Sequence, residues 1–177
     1  VDRVYQLGAR TPRAAYEALL QSKGRQINRH LKGLPLTPLE DADLDAVKDH
    51  IVGVFDLVLG SKYIKLAGAT KLLYPFRPAL LAVLDSVVEN YYWYATSIGD
   101  EASFRRLEAA NTWGEYVLEL LRLLREDVFA ARKQIDDVLA ANAGEDFAGA
   151  SRVRVVESLI WAYYARGGLH PDAEDDT

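Results

Sequence analysis

Neither cysteine nor methionine occurs in this chain of 177 residues. The first absence excludes disulfides, thiolate nucleophiles and every cysteine-containing zinc site. The second leaves the core to Leu, Val, Ala and aromatic side chains. Histidine is scarce. His30, His50 and His170 are far apart in sequence and none has a second ligand near it, so neither a histidine metal site nor a Ser–His triad is expected. No apolar run approaches the roughly 20 residues that a membrane helix needs, so no membrane partner is expected. No basic-then-apolar segment opens the sequence, and with the missing cysteine this points to a cytoplasmic location. Gly60-Ser61-Lys62 and Gly68-Ala69-Thr70-Lys71 both lack the spacing that lets backbone amides cradle phosphates. There is no Gly-x-Ser-x-Gly elbow. No cofactor and no metal are therefore expected. Apolar–polar alternation never persists over a strand length, and no internal repeat stands out.

What is present is the composition of one ordinary globular domain, half apolar and about a quarter charged, long enough for a real core. The net charge of −5 conceals a pattern. Residues 1–35 and 61–85 are predominantly basic, and the other stretches are acidic. Solvated helix faces account for such islands. The sharper expectation is that the two meet and hold an anion or a phosphate backbone, with Arg25, Arg29, Lys62, Lys65 and Arg77 as the binding residues and Lys71 beside them.

Read in order, Thr11-Pro12 starts a helix that runs to about Ser22, Gly24 interrupts it, and a second short helix covers about 25–32 before Gly33-Leu34-Pro35. Thr37-Pro38-Leu39-Glu40 has the form of a capping box, and Leu44, Val47, Ile51, Val54, Phe55 and Val58 keep helical spacing to Gly60, which predicts one helix over 38–59. Residues 62–74 form one helix, or two hinged at Gly68. Tyr74-Pro75 and Arg77-Pro78 end it. From there two courses are open: a buried helix from Leu80, or an irregular apolar connection followed by a helix from Ser86, which the capping pattern Ser86-Val87-Val88-Glu89 favours. Ser97 to Asp100 reads as a turn and Glu101 to Ala110 as a short helix. Asn111-Thr112 then caps one long helix from Trp113 to about Ala141, with a kink near Asp127 as its point of weakness. Gly144 to Gly149 is a loop, and the last helix covers Ser151 to Ala165. The expectation is a single all-α domain over 1–166, a bundle of seven or eight helices without significant sheet, followed by a disordered acidic tail over 167–177.

The segment Lys62 to Tyr94 concentrates the unusual residues. Asp85 stands alone in the apolar run LLAVLDSVV, where an unpaired buried carboxylate would cost several kcal/mol. Two readings are open. In one, Asp85 caps the helix beginning at Ser86 and pairs with Arg77. In the other it faces a cleft beside Lys71, where a carboxylate and an amine could activate water or form a Schiff base. Tyr91, Tyr92, Trp93 and Tyr94 cannot all face inward, because consecutive helix residues point about 100° apart. At least one is expected at the surface or along a groove, where an aromatic ring beside basic residues could stack on bases.

Gly68-Ala69-Thr70-Lys71-Leu72-Leu73, then Arg77-Pro78, then Val83-Leu84-Asp85-Ser86-Val87-Val88, with the late Arg154-Val155-Val156-Glu157 and Leu159-Ile160-Trp161, resembles an uncharacterised bacterial family that has no transferable activity. More remotely, the stretch is similar to the core of helix-hairpin-helix DNA glycosylases, whose lysine is a nucleophile in bifunctional members and whose aspartate is catalytic. That resemblance implies Lys71 and Asp85 in those roles and nucleic acid as partner. The chain departs from it in lacking the Gly-x-Gly hairpin, in its short Lys-to-Asp spacing and in its acidity. Two functions follow: a nucleic-acid-related protein on a glycosylase-like core, active or catalytically inactive, or a non-enzymatic helical binding or scaffolding module, alone or as a homodimer.

Overall fold

In the computed structural model, residues 11–141 and 150–167 are described. They form eight α-helices and two 3-10 turns, with no strand among them. The helices are α1 (Thr11–Gly33), α2 (Lys48–Leu59), α3 (Leu66–Leu73), α4 (Ser86–Gly99), α5 (Glu101–Glu108), α6 (Trp113–Ala130), α7 (Arg132–Ala141) and α8 (Arg152–Ala165). The turns are Leu39–Asp41 and Tyr74–Phe76. The expected acidic tail and the Gly144–Gly149 loop lie outside the described residues, except that Gly167, with φ +82°, follows α8 in the left-handed conformation that glycine tolerates.

The centre is α6. Its Val117, Leu118, Leu120, Leu121, Leu123, Leu124 and Val128 are all buried, more than one stripe of the helix, because helices pack around it on several sides. Helix α2 lies between α6 and α1 and buries Ile51, Val54, Phe55 and Val58. The approach of α2 to α6 is as close as backbone allows. A Cβ on Gly114 would sit 2.3 Å from the Val52 carbonyl oxygen, and the Gly114 amide donates to Asp56 Oδ1 at 2.6 Å. At its start α6 is capped by Thr112, whose hydroxyl accepts from the Glu115 amide at 3.2 Å while the Glu115 carboxylate accepts from the Asn111 amide at 2.8 Å.

Four expected boundaries are corrected. Gly24 does not break α1, which is one helix of 23 residues. Glycine in a helix interior costs only about 1 kcal/mol, and burial of Leu19, Ile27 and Leu31 along one stripe outweighs it. The 38–59 helix exists only from Lys48. Glu40 does not turn back to close a capping box. It is buried and pairs with Arg152 at 2.5 Å, while the Leu39 amide donates to the Ala79 carbonyl at 2.8 Å. Asp43 then accepts from the amides of Asp45 and Ala46, the local competition with helix that aspartate offers. The long helix from Trp113 divides at Ala131, four residues beyond Asp127, into α6 and α7. In the same way α4 continues through Ser97 to Gly99, where a turn is expected, and Asp100 caps α5 by accepting from the Ser103 amide.

Between Arg77 and Asp85 the chain is irregular, yet Leu80, Leu81, Ala82 and Leu84 are almost completely buried. A buried non-helical segment needs partners for its backbone. Side chains from elsewhere supply them. Glu157 Oε1 accepts from the Val83 amide at 2.5 Å, Ser151 Oγ donates to the Pro78 carbonyl at 2.9 Å, and the Ala79 carbonyl takes the Leu39 amide. Gly68 lies inside α3 without a hinge, opposite the Tyr16 hydroxyl.

Candidate functional site

Three stripes of the same spacing, from α4, α8 and the joint of α6 with α7, face one groove. Helix α4 contributes Tyr91, Tyr94, Ala95 and Ile98; the α6–α7 joint contributes Asp127, Ala130, Ala131 and Gln134; α8 contributes Val156, Leu159, Ile160 and Tyr163. Each set is i, i+3, i+4, i+7, the positions that share a helix face. The alanines at 95, 130 and 131 leave space between the larger side chains. The groove encloses about 700 Å³, within the range of small-molecule sites. Ile98, Leu159 and Tyr163 are exposed along it, and the rings of Tyr91 and Tyr163 meet edge to face at 6.5 Å.

Asp127 is the acid of this groove. One of its oxygens accepts from the Tyr92 hydroxyl at 2.8 Å, and among the described residues no cation pairs with it. Burial therefore pushes its carboxyl above the usual carboxylate range, partly offset by the Tyr92 bond. Tyr92 is buried and its hydroxyl is held well above the ordinary tyrosine value, first by burial and then by Asp127. Tyr91 is shifted the same way by burial, Asp127 and Tyr163. The aromatic run thus divides as helix geometry requires: Tyr92 inward, Tyr91 and Tyr94 to the groove, and Trp93 against Phe104 at 4.9 Å.

Asp85 lies on the far end of α4. It caps that helix, its Oδ1 accepting from the Val87 and Val88 amides at 3.1 and 3.2 Å. Its Oδ2 accepts from Trp161 Nε1 at 3.1 Å. The expected pair with Arg77 does not form. Arg77 instead donates to the carbonyls of Leu34, Leu31 and Phe76 at 3.0, 2.7 and 2.7 Å, closing the C-terminal end of α1, whose last carbonyls have no helical partner. Lys71 is exposed in the last turn of α3 and makes no polar contact among the described residues. Neither Lys71 nor Asp85 lines the groove.

The basic islands meet only in part. Lys23 reaches the Leu57 carbonyl at 3.3 Å, and it shares a shallow cleft between α1 and the α2–α3 connection with Lys62. Lys62 and Lys65 flank the exposed Tyr63, and both border a smaller cavity with the exposed Trp113. Arg25 and Arg29 are exposed and lie two residues, about 200°, round α1 from the packed Lys23 and Ile27. The acidic stretch is engaged by arginines: Glu40 with Arg152, Asp41 with Arg132, Asp45 with Arg122.

Two of the segments that carry the resemblance, 83–88 and 154–161, are in contact. Asp85 holds Trp161, and Glu157, buried and bonded to Val83, is also paired with Arg154 at 2.7 Å. Burial raises the Glu157 carboxyl above its usual range, with Arg154 and the Val83 amide opposing. The residues of these motifs thus secure the buried 77–85 connection to α8. A sequence profile described as a family of unknown function (DUF6308) matches residues 4–164. The chain belongs to that family. No curated protein and no solved structure matches it.

Sequence reasoning missed the groove and also a histidine pair. His30 and His50 lie with ring centroids 5.7 Å apart. Each occupies the space a side chain would need on the opposite helix: a Cβ on Gly33 would stand 2.2 Å from His50, and one on Gly53 2.3 Å from His30. The signal was present as His30-x-x-Gly33 and His50-x-x-Gly53, but their pairing needs the α1–α2 contact. Among the described residues no cluster of three metal-ligating side chains occurs, and no helix is long and apolar enough to cross a membrane.

Proposed function

We propose that this protein is a helical binding module that holds a small organic ligand in the groove between α4, the α6–α7 joint and α8. The observation that carries this reading is the groove itself: three i, i+3, i+4, i+7 stripes, from α4, the α6–α7 joint and α8, face a common space of about 700 Å³, and small alanines keep it open. The environment of Asp85 supports a binding rather than a catalytic role for the α4 region, since both carboxylate oxygens are engaged by Val87, Val88 and Trp161. Ligand-observed NMR with a fragment library tests the reading. Hits should be lost when Ala95→Phe fills the groove, and an undiminished hit set would refute it. A second copy of the chain is the competing occupant. Sedimentation showing a dimer that Leu159→Glu dissolves would replace the small-ligand reading.

A second reading, nucleic-acid binding, rests on a different place. Lys62 and Lys65 beside the exposed rings of Tyr63 and Trp113 combine phosphate neutralisation with stacking surfaces, the pairing that single-strand binders use. In this reading Arg25, Arg29 and Lys71 extend the contact, and Arg77 contributes little because its guanidinium is committed to three carbonyls. The glycosylase-like roles of Lys71 and Asp85 belong to the same proposal. Affinity for labelled single-stranded DNA should fall by about 0.7 log units per log unit of salt for each phosphate neutralised, and Lys62→Glu with Lys65→Glu should remove it. Salt-independent or absent binding refutes it.

A further inference from the structure

We infer that the groove selects organic cations, an alkyl- or arylalkylammonium ligand whose charge meets Asp127 among the rings of Tyr91, Tyr94 and Tyr163. The inference rests on the groove being the binding site and goes beyond it by assigning the ligand's chemistry. Three observations carry it. First, Asp127 is the only acidic or basic side chain among the described residues that line the groove. Among the described residues its one polar partner is the neutral Tyr92 hydroxyl, so no described cation answers the carboxylate's charge. Second, the walls beside it are aromatic. Tyrosine faces attract a cation through the ring quadrupole, and an ammonium set between rings and a carboxylate gains from both at once. Third, apart from the neutral amide of Gln134, the rest of the lining is aliphatic, with Ala95, Ile98, Ala130, Ala131, Leu159 and Ile160 among it. A small hydrated inorganic cation would leave that surface uncovered, whereas a ligand with an apolar body and a cationic head covers it. An anion is disfavoured by Asp127 and finds no basic residue in the lining.

The test compares phenethylammonium with its neutral near-isostere 2-phenylethanol, following the backbone amides of Ala95, Ile98, Ala130 and Ala131 by heteronuclear NMR titration. The amine is expected to move these amides and to bind at least about tenfold more tightly than the alcohol, the ratio that one charge-assisted contact supplies. Asp127→Asn keeps an acceptor for Tyr92 and should erase the ratio without weakening the alcohol. Should that variant not fold, Tyr163→Leu, at an exposed position, should weaken the amine more than the alcohol. If both compounds bind equally, or if neither variant changes the ratio, the cation inference is overturned while the groove remains a binding site. If neither compound moves these amides, both the inference and the groove reading fail for ligands of this size.

Discussion

Replacing Gly114 by alanine should destabilise the protein by about 2–4 kcal/mol, although alanine is the better helix former. The added Cβ would lie 2.3 Å from the Val52 carbonyl oxygen and 2.7 Å from its Cα. Both are backbone atoms inside α2, so no rotamer change relieves the overlap, and α2 and α6 must separate by roughly an ångström in a core packed like a crystal. Overpacking of this kind costs about 1–3 kcal/mol. The separation also stretches the 2.6 Å bond from the Gly114 amide to Asp56, a charge-assisted contact of about 1.5–3 kcal/mol when intact, of which only part is lost. The helix-propensity gain, at most about 1 kcal/mol and smaller near a helix start, does not offset these terms. The control is the same substitution at Gly24, inside α1, where a Cβ meets nothing within 4 Å. There the expectation is a gain of about 0.5–1 kcal/mol. Urea unfolding followed by circular dichroism measures both, and thermal melts should differ in sign, with Gly114→Ala lower by roughly 5–15 °C. A Gly114→Ala protein as stable as wild type, or a Gly24→Ala protein that loses stability, would refute the account of how α1, α2 and α6 pack.

Asp85→Ala should cost about 1–2 kcal/mol through the lost N-cap of α4, and Asp85→Asn less, because the amide oxygen can still accept from Val87 and Val88 while its NH2 group cannot accept from Trp161; a melt of Asp85→Asn at or above the wild-type midpoint would argue for a strained functional carboxylate instead. Arg77→Ala should lower the urea midpoint by removing the guanidinium donor from the Leu34 carbonyl and leaving the Leu31 carbonyl to the long 3.3 Å bond from the Leu34 amide, about 1–3 kcal/mol, and an unchanged midpoint would show that water replaces it. Burial, aided by Arg29 and His50, lowers the His30 pKa below its ordinary 6.5, so the folded state disfavours the proton. That contribution to stability is present above about pH 6.5 and is lost as pH falls through the folded value. Wild type should therefore weaken relative to His30→Gln between about pH 7.5 and pH 5, and a difference that does not change with pH would contradict it.

Much of the helical content is legible locally. The start of α8 beside Ser151, Thr112 capping α6, the apolar spacing of 51, 54, 55 and 58, and the break at Tyr74-Pro75 all rest on interactions within a few residues, and all occur as read. The all-α class follows from them. So does the start of α4 at Ser86, because an aspartate beside a helix start has a local use for its charge. The failures share one cause. Glu40 has the form of a capping residue, but Arg152, more than a hundred residues on, takes it into a buried ion pair, and the helix expected from 38 gives way. Gly24 has the form of a break, but burial of Leu19 and Ile27 holds α1 straight through it. Arg77 is eight residues from Asp85 and pairs with neither it nor any other described acid, because its guanidinium is committed to carbonyls at the end of α1. Local hydrogen bonds and propensities are each worth about 1 kcal/mol, and burial of one side chain is worth more. The sequence by itself therefore determined which segments are helical and how most of them begin. Only the tertiary structure decided where α1, α2 and α6 continue or stop, that His30 and His50 interlock with glycines of the facing helix, and that three separate stripes close around Asp127, because each depends on which helix the packing of the whole chain sets opposite.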